Sequence, residues 1–514
     1  MTKDQKIILP KEVLDILAQL KSNNFEAYAV GGCVRDILRG VEPKDWDITT
    51  NATPEEIQKI FPNNFYENKF GTVGVITGSQ EESLKIVEVT TYRIDGEYSD
   101  ARHPDEVKFA KTLEEDLSRR DFTCNAMALS LEVHSLKHEA QEDLNGLKLQ
   151  DSSFKVVDLF GGKEDLENKI IRAVGDSEKR FKEDALRMMR AVRFVAQFSK
   201  NKIQWSIEEK TAEAIKKNSK LIKAVSKERI RDELLKLISG SRPDYGIEMM
   251  RQLGLLKYVL PEVDSSHGVG QNKHHKYDVY EHLVKSLAYA ADKNYSQDVR
   301  LAALLHDIGK PDTKHGDGLN STFYNHEVVG ANIAEDILIR LKFSNKQIDK
   351  VVTLVRYHLF YYNVDEVTES SVRRLVKNVG SENMDELIEL RTCDRIGSGV
   401  PKAEPYKLRH FKYIIEKVSR DPVSAKMLAL KGDELIGILK SSPGPKIGQI
   451  LNILLDEVLD DPLRNNKEYL SKRATELGIL SDSDLKKKNE EAESKKQEVQ
   501  MKIEDTTKQK YWVT

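Results

Sequence analysis

Along PKEVLDILAQLKSNN (residues 10–24) apolar side chains return at every third or fourth position behind Pro10, a spacing that predicts an amphipathic helix. AYAVGG then reads as a buried strand entering a glycine turn, CVRDILRG as a short helix ended by Gly40, and DWDITT as a strand. ATPEEIQKIF predicts another helix, with Thr53 as cap, Pro54 at the first position and Glu56 three residues after the cap. GTVGVITG and LKIVEVTTYR carry the β-rich pattern of two more strands. The first part of the chain therefore predicts helices on a small sheet. After residue 165 long amphipathic helices take over, broken at FSKNKIQWS and at PEVDSSHGVGQNKHHKYD (residues 261–278), which reads as a domain junction. DLKKKNEEAESKKQEVQMKIEDTTKQK, near the end, is almost wholly polar and predicts a solvated helix or a disordered tail.

A length of 514 residues exceeds what one hydrophobic core supports, so several domains are expected. Lys and Arg total 81 against 84 Asp and Glu, which excludes a histone-like polycation and an acidic solvating chain but leaves room for local basic surfaces. Three cysteines, Cys33, Cys124 and Cys393, cannot build a disulfide framework and fit a reducing compartment. No apolar stretch reaches membrane length and MTKDQKIILPKEVLDIL lacks a signal-peptide layout, so a cytoplasmic protein without a membrane partner is expected.

Candidate chemistry begins at GGCVRD (residues 31–36), followed by Asp45-Trp46-Asp47. On a strand, residues two apart share a face, so Asp45 and Asp47 would present paired carboxylates while Trp46 turns into the core. Two hard oxygen ligands suit Mg²⁺, which takes one or two carboxylates and completes its shell with substrate phosphates. Gly31 and Gly32 permit close backbone approach to a triphosphate, Arg35 can neutralise it, and Glu88 is a candidate third carboxylate.

GGCVRDILRGVEPKDWDITTNATPEEI resembles the active-site signature of the class II tRNA nucleotidyltransferase and bacterial poly(A) polymerase family. TYRIDGEYSDARHPDEV, RRDFTCNAMA, DLFGG, RFKEDALRMMRAVRF and SKERIRDELLKLI follow in family order, and together they cover about residues 10–260. The resemblance implies an α+β protein: a polymerase-β-like nucleotidyltransferase head on a small mixed sheet, then all-α neck, body, HD and tail regions. The corresponding division is a head at 1–165, a neck and body with nucleotide-selecting and RNA-binding helices at 166–262, an HD metal-binding region at 263–400, a helical tail domain at 401–482 and a charged tail at 483–514.

RFKEDALRMMRAVRF by itself reads as an amphipathic helix with Leu186, Met189, Val192 and Phe194 toward the core. The resemblance implies that its other side, Asp184, Arg187, Arg190 and Arg193, holds the incoming base. A carboxylate only accepts hydrogen bonds and a guanidinium only donates. Adenine and cytosine both offer an amine donor beside a ring-nitrogen acceptor, and guanine and uracil reverse that order, so an Asp184/Arg187 pair selects ATP and CTP. In RRDFTCNAM the resemblance gives phosphate or base contact to Arg119 or Arg120 and ribose contact to Asp121 and Asn125. The implied reaction is attack of an RNA 3′-OH on the nucleotide α-phosphate with release of pyrophosphate, and two Mg²⁺ ions on Asp45 and Asp47.

Addition of CCA to tRNA, partial addition of CC or A, and poly(A) synthesis are the family's alternatives. TYRIDGEYSDARHPDEV resembles a loop of members that add A, and ENKFGTVGVITG has only Lys69 where poly(A) polymerases carry a basic stretch, which favours CCA addition to tRNA. LEVHSLKHEAQEDLNGLKLQDSSFKVVDLFGG is longer than the family pattern and reads as a polar surface loop or hairpin.

LAALLHDIGKPDT resembles the HD phosphohydrolase superfamily. The resemblance implies one metal on His282, His306, Asp307 and Asp394, with His326 and His358 completing a second site. Imidazole with carboxylate suits Mn²⁺, Fe²⁺, Ni²⁺ or Zn²⁺ better than Ca²⁺. His267, His274, His275 and His315 read as surface residues. The reading from another class is a metal-dependent phosphohydrolase whose first half only binds RNA.

Overall fold

The computed structural model describes residues 9–67, 71–95, 107–132, 153–200, 203–272, 276–360, 362–364, 367–400, 402–419 and 428–513. The chain forms two compact units, Met1–His358 with Glu389–Val400, and Leu359–Ile388 with Pro401–Thr514. The segment 261–278, expected to be a junction, lies inside the first unit. Part of it is a short helix, Pro261–Ser265, and Gln271 donates to the Tyr277 carbonyl at 3.2 Å and accepts from Lys310 at 2.7 Å.

The first unit opens with helix α1 (Lys11–Ser22), strand β1 (Ala27–Val30), helix α2 (Gly32–Leu38) and strand β2 (Asp47–Thr50). Helix α3 (Pro54–Ile60) carries the expected capping box between Thr53 and Glu56. Strands β3 (Asn64–Glu67), β4 (Thr72–Ile76), β5 (Ile86–Thr91), β6 (Arg93–Asp95), β7 (Val107–Phe109), β8 (Met127–Glu132) and β9 (Ser153–Asp158) follow. One mixed seven-stranded sheet has the order β3-β4-β5-β2-β1-β8-β9, and within it only the β2–β5 pair is parallel. Strands β6 and β7 form a separate antiparallel pair.

Alternation along β4 and β5 assigns the two faces of the sheet. Val73, Val75, Val87 and Val89 are buried on the side of α3 and its Ile57, whereas Ile76, Ile86 and Glu88 are exposed on the other. The long polar insertion is flanked by an antiparallel hairpin, with Glu132 opposite Ser153; its residues 133–152 lie outside the described residues, as do 96–106, Lys69, His274 and His275. His267 and His315 are exposed.

Helices α4 (Leu113–Ser118), α5 (Gly162–Asn168), α6 (Ser177–Glu183), α7 (Leu186–Phe198), α8 (Glu209–Asn218) and α9 (Lys227–Ile238) continue the unit, with α6 against α8 and α7 against α9. The single helix expected over RFKEDALRMMRAVRF is two helices. Asp184 leaves α6 in an extended conformation (φ −144°, ψ 104°), and its Oδ1 accepts the Leu186 amide at 3.0 Å, capping α7 in place of continuing the helix. Leu186, Met189, Val192 and Phe194 are buried as expected.

In the second unit the charged tail is neither disordered nor wholly solvated. It forms the helix Asp482–Tyr511, whose Leu485 and Ala492 join a core with Ile450, Leu454 and Leu470, while Glu504 accepts from the Tyr413 hydroxyl at 2.6 Å. Asn489 and Thr507 are buried as well, and most of the helix's other described side chains are exposed or half-buried, so a sparse stripe suffices. Among the described residues no helix is long and apolar enough to cross a membrane. Leu485→Ala is expected to cost about 2–5 kcal/mol in urea unfolding of the full chain; a tail that only lay in solvent would show no change.

Candidate functional site

Strand β2 begins at Asp47, so Asp45 stands in a bend ahead of it and is exposed, not on the strand as expected. The ladder explains the difference. Asp47 pairs with Val30, the last residue of β1, and Gly31 then turns the neighbouring chain into α2 at φ 79°, leaving Asp45 nothing to pair with on that side. Trp46 is buried, as expected. On the other side Glu88 is the direct partner of Asp47 in β5 and shares its face. A Cβ at Gly31 would lie 2.7 Å from Arg120 Nη1 and 3.7 Å from Asp47 Oδ2, so only glycine admits this guanidinium beside the carboxylate. Burial pushes the Asp47 carboxyl up, the Arg120 charge pulls it back, and Asp45 adds to the rise. The Asp45/Asp47 donor set is oxygen only, which fits a hard divalent cation. Among the described residues no three ligating side chains gather here within 4.8 Å, so Glu88 shares the row without joining the two aspartates in one cluster.

From this edge a cleft of about 450 Å³ opens, lined by Gly31, Gly32, Arg35, Asp47, Arg93, Arg119, Arg120, Asp121, Asn125, Asp184, Arg187, Arg190, Arg193 and Phe194. Asp45 and Glu88 are not part of that lining. Seven arginines against three aspartates make it a receptor for a polyanion. Asp116, fully buried in α4, accepts from Arg119 at 2.9 Å, Arg120 at 3.4 Å and Thr49 at 3.2 Å. Asp121 accepts from Arg190 at 2.6 Å and from Asn125 at 3.1 Å, and Asn125 in turn accepts from Arg35 at 2.8 Å. Arg35 is also paired with Asp36 at 2.7 Å, so it is held in the wall and does not project freely into the cleft. Arg193 is paired with Glu233 of α9 at 2.6 Å and lies over the Phe194 ring.

The Asp184/Arg187 pair lines the same cleft, and each member has a second partner that fixes it. Arg229 of α9 donates to both Asp184 oxygens at 2.7 and 3.3 Å, and Glu183 accepts from Arg187 at 2.7 Å. Sequence reasoning missed Asp116, Glu183, Arg229 and Glu233. Each sits on a helix where a charge reads as a solvated surface; Asp116 and Glu183 meet cleft arginines at i, i+3 and i, i+4 spacing, whereas packing of α9 brings Glu233 against Arg193 and Arg229 against Asp184.

A second cluster lies in the helices that follow, contributed by Val279–Asp292, the His306-Asp307 pair, His326–Arg340, His358 and Asp394. His282 Nε2 is 3.0 Å from Asp307 and 3.4 Å from Asp394, and 2.9 Å from His306 Nε2. Asp307 is also 3.2 Å from His326 Nε2, 3.5 Å from His358 Nε2 and 2.6 Å from Lys310 Nζ. The six expected ligands thus gather as two overlapping groups, His282/His306/Asp307/Asp394 and Asp307/His326/His358. The Nδ1 atoms of His306, His326 and His358 face the carbonyls of Ala303, Phe323 and Val355 at 3.0, 2.7 and 2.7 Å. Donation from Nδ1–H to a carbonyl leaves the Nε2 lone pairs pointing together, the arrangement of metal-ligating histidines. Although burial acts to raise it, Asp307 is held well below the usual carboxylate range by Lys310 and the imidazoles.

Comparison with known proteins gives three family matches: the poly(A) polymerase head domain over residues 27–172, the probable RNA and SrmB-binding site of polymerase A over 205–266, and the HD domain over 279–396. The chain is 32% identical to the CCA-adding enzyme of Ligilactobacillus salivarius over 91% of its own length and 96% of that protein. It is 40% identical to that of Geobacillus stearothermophilus over 48% of this chain and 54% of the relative. The crystal structure of the Bacillus stearothermophilus CCA-adding enzyme in complex with CTP superposes with a TM-score of 0.57 at 27% identity, covering 91% of this chain and 98% of that one.

The Asp121 network has a pH signature. Burial alone would raise this carboxyl, but Arg190, Asn125 and Arg187 hold it at about 2. A depressed carboxylate stabilises the fold above its unfolded value of about 3.9, and that stability is lost as pH falls toward 2. In urea unfolding, the advantage of wild type over Asp121→Asn is expected to narrow by about 1 kcal/mol from pH 6 to pH 3.

Proposed function

Because the chain belongs to the family of CCA-adding enzymes, we propose that it is a template-independent nucleotidyltransferase that builds CCA onto the 3′ end of tRNA from CTP and ATP, releasing pyrophosphate. The observation that carries the assignment of roles is the Asp184/Arg187 pair, braced by Arg229 and Glu183 in the arginine-lined cleft that also contains Asp47.

Asp184 accepts from the exocyclic amine of the incoming base and Arg187 donates to its ring nitrogen. The two braces keep that polarity fixed, so guanine or uracil would leave buried groups unpaired, at about 1–3 kcal/mol for each. Arg120, beside Gly31 and Asp47, is the arginine of the RRDFT motif assigned to the triphosphate; Arg119 shares the anchor Asp116 and supports it. Asn125 spends one amide hydrogen on Asp121, and its oxygen accepts from Arg35 and, at 4.0 Å, from the Cys124 thiol, which leaves one amide hydrogen for the ribose. Asp45 and Asp47 would hold the two Mg²⁺ ions, which when bound supply positive charge to the attacking 3′-OH and the leaving pyrophosphate. The remaining arginines orient the triphosphate and keep its charge balanced.

The test is sequencing of the 3′ ends made from tRNA lacking its terminal nucleotides. Wild type with CTP and ATP is expected to give CCA, Asp47→Ala to lose at least about a thousandfold in rate, and Asp184→Ala to admit GTP and UTP. A single A, a long A run, or full activity of Asp47→Ala would refute the reading.

The converging Nε2 atoms favour a second assignment, a divalent transition-metal centre on His282, His306, Asp307, His326, His358 and Asp394 with phosphoester hydrolysis as its chemistry. Elemental analysis is expected to find metal in wild type and none in a His306→Ala, Asp307→Ala double variant, with turnover of a 2′,3′-cyclic phosphate end lost in parallel. Equal metal in both proteins would remove the assignment.

A further inference from the structure

We propose that Phe65 is a stacking platform for the base at the 3′ end of the RNA acceptor, a subsite that rests on the nucleotidyl-transfer reading above. The strand registers set Phe65 opposite Gly74, Gly74 opposite Glu88, and Glu88 opposite Asp47. Direct partners in a sheet project from the same face, so the ring and the two carboxylates stand in one row on the open side.

Strands lie about 4.8 Å apart, which places the Phe65 backbone about 14 Å from that of Asp47. The ring closes part of this distance. A Cβ at Gly74 would meet Cζ, Cε1 and Cε2 of Phe65 at 2.4, 2.6 and 2.9 Å, so the distal part of the ring occupies the place of a missing side chain one strand nearer to Glu88. Any other residue at position 74 would stand between the ring and the carboxylates.

The apolar surface continues beyond the ring. Ile76 and Ile86 are direct partners on the same face and each is 47% exposed. Their neighbours Val75 and Val87 are buried on the opposite face, so these isoleucines are not serving the core. Together with the Phe65 ring they form a contiguous apolar patch beside the carboxylates, a surface on which a ligand can dock. That ligand must present a flat apolar face while its attached sugar reaches Asp47, and a nucleobase with its ribose does both. Stacking is tolerant of base identity because every base has a π-face. That tolerance is what an acceptor needs when its last base changes with each addition, whereas a hydrogen-bonding contact would favour one base.

The test uses the full chain and a tRNA acceptor whose last base is the fluorescent 2-aminopurine, without nucleotide. Wild type is expected to quench the probe on binding. Phe65→Leu, which keeps apolar bulk and removes the π-face, is expected to leave it bright and to raise KM for RNA about 5- to 100-fold, with KM for CTP and ATP unchanged. Phe65→Tyr is expected to restore both. Gly74→Ala, which displaces the ring without removing it, should behave like Phe65→Leu and decides the matter if that variant does not fold. Unchanged quenching in both variants overturns the subsite, and so does a rise in KM for nucleotide alone, which would give the ring to the incoming base. Asp47→Ala run in parallel separates the two failures: retained incorporation there sinks the transfer reading, whereas its loss alongside unchanged quenching in the ring variants sinks only Phe65.

Discussion

Seven guanidinium groups line one cleft, and the arrangement depends on carboxylates set between and behind them. Asp116 holds Arg119 and Arg120, Asp121 holds Arg190, Glu183 holds Arg187, and Glu233 holds Arg193. Removing one partner of such a buried pair costs far more than the pair contributes, because it leaves a charge uncompensated away from water. The anchors come from different elements: Asp116 from α4, Asp121 from the turn before β8, Glu183 from α6 and Glu233 from α9. Through Asp121 and Arg190 the cleft ties the strand-bearing part of the first unit to α7, and its guanidinium groups are what a triphosphate can pair with.

The histidine cluster inverts this arrangement. There two carboxylates, Asp307 and Asp394, stand among imidazoles, with the Lys310 ammonium on Asp307, and both oxygens of Asp307 are shared. Backbone carbonyls take up the outer ring nitrogens, so the helix ends that supply them set the direction of the inner ones. Both clusters use second partners to orient the groups that face the ligand.

Alternation on β4 and β5 gives the sheet one closed face of valines and one open face, and the open face carries Asp47, Glu88 and Phe65 in a single cross-strand row. Register sets that row. A slip of one residue in any of the three pairings would send its side chains into the valine core.

Much was legible without coordinates. The apolar pattern gave β1, β4 and β5 and the Thr53/Glu56 cap gave α3, the buried stripe of α7 was read correctly, and the resemblance to the HD phosphohydrolase superfamily named all six members of the second cluster. Local chemistry suffices for these because neighbouring residues or recognisable motifs carry them. Three features were not legible: Asp45 outside its strand, the break at Asp184, and the packed terminal helix. The first depends on where β1 ends, the second on a side chain capturing its own backbone, and the third on a partner surface far away in the chain. The sequence by itself determined which groups could do the chemistry. Only tertiary structure decided that Asp121 holds Arg190, that Glu233 holds Arg193 and that the Phe65 ring stands one strand from Glu88, because those pairings join residues that are distant in sequence and are chosen by packing.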